Sequence, residues 1–144
     1  MKRLIKLISI IVAVIGLIVF ISFVNHKIKL KDENALFKTN GKIVEVNGHC
    51  LNVYLSGNPN SDFTLVFMSG AGTCSPTLDF KTLYSLFEKD YQIAVVEKAG
   101  YGFSDISDIS RDIDTILFET RESLNQAGVT NHKYILFPHS MSGI

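Results

Sequence analysis

The sequence predicts an α/β fold: an N-terminal transmembrane helix followed by an incomplete, mainly parallel sheet, ordered as a β-hairpin and then strand, helix, strand, helix, strand. Three observations carry this. Leu7 to Val24 is an uncharged run of apolar and small residues. Asn47-Gly48 separates two short segments rich in alternating apolar residues. Three continuous apolar runs of strand length, at 63–68, 91–96 and 133–137, are divided by segments with helical periodicity.

The first element spans residues 4–24. A bilayer-crossing helix needs roughly 20 apolar residues, and Leu4 and Ile5 extend the run from Leu7 to about that length. Lys2, Arg3 and Lys6 precede it, and Lys27, Lys29 and Lys31 follow, placed to snorkel towards the headgroups. The run ends in Phe23-Val24-Asn25 without the small residues of a signal-peptidase site, so an uncleaved anchor is expected. A buried core helix would carry a polar face, and this run has none. With three basic residues on each side, the charge rule leaves the orientation open. The short N-terminal tail favours a cytoplasmic amino terminus and an extracytoplasmic globular part. Residues 25–40 are charged and amide-rich and read as a juxtamembrane linker.

The charge is zero overall but uneven. Residues 1–33 hold six Lys+Arg and two Asp+Glu, and residues 34–144 hold eight and twelve. The basic flank suits a lipid bilayer as partner, while the acidic remainder argues against nucleic acid. Cys50 and Cys74 have neither metal-ligand spacing nor the numbers of a disulfide framework, so two unpaired thiols are expected and no metal is implied.

Residues 41–144 form the globular part. Ile43, Val44 and Val46, then Asn47-Gly48, then Leu51, Val53 and Leu55 make a hairpin. Phe63 to Met68 is a strand buried on both faces. Ser75-Pro76 reads as an N-cap and first helical residue, with Leu78, Leu83, Leu86 and Phe87 as the apolar face. Tyr91 to Val96 is a second buried strand. Ile109, Ile113, Ile116, Leu117 and Leu124 mark an amphipathic helix, with Asp112 and Asp114 at its positive end and Gly128 just beyond its other end. Lys133 to Phe137 is the third buried strand.

Functional sites in open parallel sheets form at the carboxyl ends of the strands. Three loops leave such ends. The last, Pro138-His139-Ser140-Met141-Ser142, places a serine directly after a buried strand between small neighbours. It resembles the nucleophile elbow, G-x-S-x-G, with Pro138 and Ser142 in place of the glycines. A serine that only caps the following helix is the other reading. The first loop, Met68-Ser69-Gly70-Ala71-Gly72, stands where α/β-hydrolases carry a His-Gly segment that supplies an oxyanion-hole N–H. An ordinary Gly-rich turn is the alternative. A phosphate loop is disfavoured because no Gly-Lys-Ser/Thr follows. The middle loop, Glu97 to Asp105, is similar to the family's D-x-x-G-x-G-x-S signature, with Glu97 in place of Asp, and is structural rather than catalytic.

The three loops together, in order and each after its own strand, resemble the N-terminal half of the α/β-hydrolase superfamily over about residues 41–144. The resemblance implies hydrolysis of an ester or amide bond of a small-molecule substrate through an acyl-serine intermediate. Ser140 is the implied nucleophile, and the backbone N–H groups of Ala71 and Met141 are the implied oxyanion-hole donors. It implies no organic cofactor and no metal. A serine rather than an aspartate at this position argues against dehalogenase chemistry.

The family's order is Ser, then Asp or Glu, then His. Only four residues follow Ser140, none of them acidic or His. His26 lies in the linker, His49 in the hairpin, His132 at the far end of the sheet and His139 at the elbow's variable position; none is a suitable base. The expectation is therefore an enzyme fragment, inactive alone for want of the triad acid and base, with its last strand at an unprotected edge. Two competing readings are a non-catalytic membrane-anchored protein that keeps half of a hydrolase scaffold, and a small anchored protein whose loop resemblances are coincidental.

Overall fold

The computed structural model describes residues 2–130 and 133–143. It divides into two units, residues 1–38 and 39–144.

The first unit is a helix, α1 (Lys2–Leu36). It runs past the apolar stretch, so most of the segment expected as a linker is helical. Its window from Lys2 to Glu33 is long and apolar enough to cross a membrane, and its apolar side chains are exposed. At 1.5 Å per residue, the uncharged stretch from Leu7 to Val24 measures about 27 Å, close to a hydrocarbon core of about 30 Å.

The second unit holds a five-stranded sheet: β1 (Lys42–Val46), β2 (His49–Gly57), β3 (Thr64–Met68), β4 (Gln92–Glu97) and β5 (Tyr134–Pro138), in the order β1-β2-β4-β3-β5. β1 and β2 are antiparallel, as are β2 and β4, while β4, β3 and β5 run parallel. Asn47 and Gly48 both adopt positive φ, at 57° and 78°, as a two-residue turn between right-twisted strands requires. Between the parallel strands lie α2 (Pro76–Asp79) and α3 (Lys81–Tyr84), then α4 (Ile113–Ala127).

β3 and β4 are buried along their whole length because both faces are covered. Val66, Met68, Ala94 and Val96 pack with Leu124, Ala127 and Val129 from α4 and its exit. Leu65, Phe67, Ile93 and Val95 pack with Tyr84, Phe80 and Phe87 on the opposite face. Two of the three continuous apolar runs therefore mark strands buried on both sides.

Two helices differ from expectation. The helix begun at Ser75-Pro76 is two separate single turns, and Leu78, Leu83 and Leu86 are exposed. Phe80, Tyr84 and Phe87 face the sheet instead, with Phe80 and Tyr84 against Phe67. Their i, i+4, i+7 spacing is as helical as that of the leucines, and their rings fill the greater volume over Phe67. Ser75 is extended at the N-cap position but makes no side-chain cap bond. In α4, Ile113, Leu117 and Phe118 are exposed, and Ile109 precedes the helix. The buried residues are Glu119, Thr120, Ser123, Leu124 and Ala127, so only the second half of the helix seals the core. Its ends behave as expected. Asp112 caps the N-terminus by accepting from Thr115 N–H at 2.8 Å, and Gly128 takes the left-handed conformation at the C-terminus.

β5 forms one edge of the sheet and pairs only with β3. Ile135 and Leu136 are 40% and 54% exposed, so Lys133 to Phe137 is not the buried strand expected: with a neighbour on one side only, its faces stay partly open. His132, assigned to the far end of the sheet, lies outside the described residues.

Candidate functional site

The three loops converge at the carboxyl ends of β3, β4 and β5. The parallel ladder carries on one step beyond the strands, with His139 N–H donating to Met68 C=O at 2.9 Å. Ser140 follows with φ = 56°, one of two non-glycine residues with positive φ among those described. Left-handed backbone is costly for a side chain bearing Cβ, and such conformations cluster at functional sites. A short 3₁₀ turn, Ser140–Gly143, begins there, and Ser140 is exposed.

The first loop lies directly against the elbow. Gly70 is buried, and a Cβ built on it would meet Ser140 and the His139 carbonyl. Glycine is required here by close approach rather than by φ. Ala71 is exposed beside it and lines a cleft of about 230 Å³ together with Met141. The two residues whose N–H groups the sequence nominated thus border one space.

Sequence reasoning missed the link between elbow and first loop. Lys98 Nζ donates to Ser69 C=O at 2.6 Å and to Ser142 Oγ at 2.9 Å, while Ser142 Oγ–H donates to the same carbonyl. A hydroxyl at position 142 is therefore used, which accounts for serine where the elbow pattern has glycine. Burial pushes the Lys98 ammonium below its ordinary pKa, and the nearby charge of Arg111 adds to the shift. The only local signal was a lysine directly after a buried strand.

Glu97 is fully buried and serves the middle loop. Its carboxylate accepts from Phe103 N–H at 2.7 Å, Asn52 Nδ2 at 3.0 Å and Thr77 Oγ1 at 2.8 Å. Ser104 Oγ donates to Glu97 C=O and accepts from Asn52 N–H; Asp105 N–H donates to Cys50 C=O, and the Asp105 carboxylate accepts from Cys50 N–H. The loop is thus stitched to β2, with its carboxylate turned inward, as a structural role requires.

The histidines fall in different places. His26 is on α1, and His139 packs edge-on to Phe80 at 6.3 Å between centroids. His49 is buried, with Nε2 3.4 Å from Glu119 Oε1. Arg111 Nη1 approaches the two oxygens of the same carboxylate at 2.9 and 2.7 Å. This His49–Glu119–Arg111 cluster was also missed. Arg111 and Glu119 are eight residues apart, but His49 is distant in sequence, and only the packing of α4 on the hairpin brings it to them. Among the described residues, none hydrogen-bonds the Ser140 hydroxyl.

No family model matches the chain. The "Uncharacterized protein YbdG" of Bacillus subtilis (strain 168) is 44% identical over 143 residues, which covers 99% of this chain and 43% of that protein. The chain therefore spans less than half of that curated relative. Among solved structures, it is similar to an alpha/beta hydrolase fold protein from Burkholderia ambifaria, with a TM-score of 0.59 and 15% identity over 74% of this chain and 37% of that one. The thioesterase domain from the curacin biosynthetic pathway gives a TM-score of 0.57 and 18% identity, covering 74% and 39%. A haloalkane dehalogenase variant from Bradyrhizobium elkanii gives 0.60 and 17%, covering 71% and 32%. At such identities the likeness is one of fold, and it extends to about a third of each neighbour. On the sheet order, the converging loops and these neighbours, the chain carries part of an α/β-hydrolase-like fold.

Proposed function

We propose that this chain is the N-terminal part of a membrane-anchored serine hydrolase that cleaves an ester or amide bond through an acyl-serine intermediate. The observation that supports this most is the positive φ of Ser140 at the end of a parallel strand, packed against Gly70. In this reading Ser140 Oγ attacks the scissile carbonyl, and its proton passes to a base supplied from beyond residue 144. The N–H groups of Ala71 and Met141 stabilise the oxyanion, each worth roughly 2.7–4 kcal/mol of barrier by analogy with measured donors. Expulsion of the alcohol or amine leaves the acyl-serine, which water then cleaves. The helix α1 holds the enzyme in the bilayer, with the hydrolase part outside the cytoplasm.

The test is labelling of the full-length polypeptide by a fluorophosphonate probe, with and without Ser140→Ala. Labelling lost on that substitution is expected, and equal labelling of both proteins overturns the assignment. The 144-residue chain alone should show little serine-dependent esterase turnover. Resistance of α1 to carbonate extraction from membranes tests the anchor.

The alternative reading is a non-catalytic anchored protein built on a hydrolase scaffold. It predicts a stable, protease-resistant fold that the probe never labels.

A further inference from the structure

The cleft bordered by Ala71 and Met141 has a chemistry that acyl transfer alone leaves unused. Its walls also carry Lys98, Tyr101, Arg111 and Ile116. Two of its lining residues are cations and none is acidic. Each cation is held from behind. Lys98 is fixed by Ser69 C=O and Ser142 Oγ, and its ammonium lies 5.5 Å from the centre of the Tyr101 ring. Arg111 is fixed by Glu119, which is only 2% exposed and lies behind the cleft wall rather than on it. His49 backs the same carboxylate.

Glu119 offsets the charge of Arg111. Among the described residues, no carboxylate offsets that of Lys98, which meets only a carbonyl, a hydroxyl and a ring face. The cleft is therefore positive. The guanidinium meets Glu119 through Nη1, and among the described residues nothing accepts from its Nε or Nη2. A planar fork held at one corner and open at the others suits a carboxylate.

We propose that this cleft is a subsite for an anionic substrate group, a carboxylate carried on the acyl chain, with Arg111 as the specificity-determining residue and Lys98 as the second cation. This rests on the serine-hydrolase reading, because the same cleft is bordered by the proposed oxyanion-hole residues. A carboxylate bound there is held beside the position of the scissile carbonyl, and it separates two like charges.

The experiment uses the full-length polypeptide with Ser140→Ala, which prevents turnover. Calorimetric titration compares monomethyl succinate with methyl butyrate, esters of similar shape that differ in the carboxylate. Monomethyl succinate should bind at least tenfold more tightly. The advantage should fall to within twofold when Arg111→Met is combined with Glu119→Gln, a pair that leaves no unpaired buried carboxylate to unfold the protein. Kd values within twofold in the Ser140→Ala protein, no binding of either ester, or an advantage that survives loss of Arg111 would each overturn the subsite. Probe labelling of Ser140 separates the two ideas. Labelling without anion preference removes the subsite and keeps the enzyme. Anion preference without labelling does the reverse.

Discussion

A methyl group added to Gly70 would lie 2.6 Å from Ser140 Cβ and 2.9 Å from the His139 carbonyl oxygen. Neither atom is the free end of a flexible side chain, so the elbow itself must move. Gly70→Ala should destabilise the fold by about 1–3 kcal/mol, the usual cost of overpacking. It should also slow fluorophosphonate labelling of Ser140 in the full-length polypeptide by at least about tenfold, if a misplacement near 1 Å disrupts attack. Denaturant unfolding and labelling kinetics check the two effects separately.

Glu97 should matter for stability rather than for rate. Its replacement by Ala strands the buried donor of Asn52 and the partly buried donors of Thr77 and Phe103. With about 1–3 kcal/mol for each orphaned group, a loss of about 3 kcal/mol or more is expected. Asp in its place is one methylene shorter and should recover only part of this. The urea midpoints of the two variants give the comparison.

The two thiols are free and differ in access. Cys74 is exposed, whereas Cys50 is partly buried, and its thiol pKa is pushed up by burial and then by the Asp105 carboxylate beside it. Because the thiolate is the reactive species, iodoacetamide should modify Cys74 well before Cys50. Peptide mapping after a timed reaction reads the order. Equal rates would mean that Asp105 does not hold its place on Cys50.

Asp112 gives a pH signature. The backbone N–H of Thr115 holds its carboxylate pKa below the ordinary value of 3.8. The folded state therefore binds this proton less readily than the unfolded chain does. The cap's contribution is complete above the ordinary value and is lost as pH falls through the lowered one. Thermal unfolding between about pH 5 and about pH 2 should show a smaller loss of stability in Asp112→Asn than in the parent, since that variant has no carboxylate to protonate.

What was legible in the sequence was what short-range chemistry decides. Asn47-Gly48 implies its turn because few other pairs accept two positive φ values. Leu65 to Met68 implies burial on both faces because nothing polar interrupts it, and Gly128 marks the end of α4 because glycine accepts the positive φ found there. The Ser140 elbow was legible through its neighbours in the fold, since its own pattern departs from the glycines usually found there. The packing face over Phe67 was not, because leucines and aromatics competed at equal helical spacing and only three-dimensional volume chose between them. The Lys98 bridge and the His49–Glu119–Arg111 cluster were illegible for a different reason. Lys98 meets partners from two other loops, and His49 reaches Glu119 from the hairpin, so no window of sequence holds either group together.

The sheet order also sets a schedule. β1 and β2 meet across a two-residue turn, so their pairing closes almost no loop. β5 must find β3 across everything between Thr64 and Tyr134, a closure whose entropic cost grows only slowly with length but which cannot begin until residue 134 has been made. The left-handed backbone of Ser140 lies two residues past that strand, so it is fixed only once β5 has docked. Ser140 is then a reporter of assembly: a probe that reads its reactivity also times the arrival of β5.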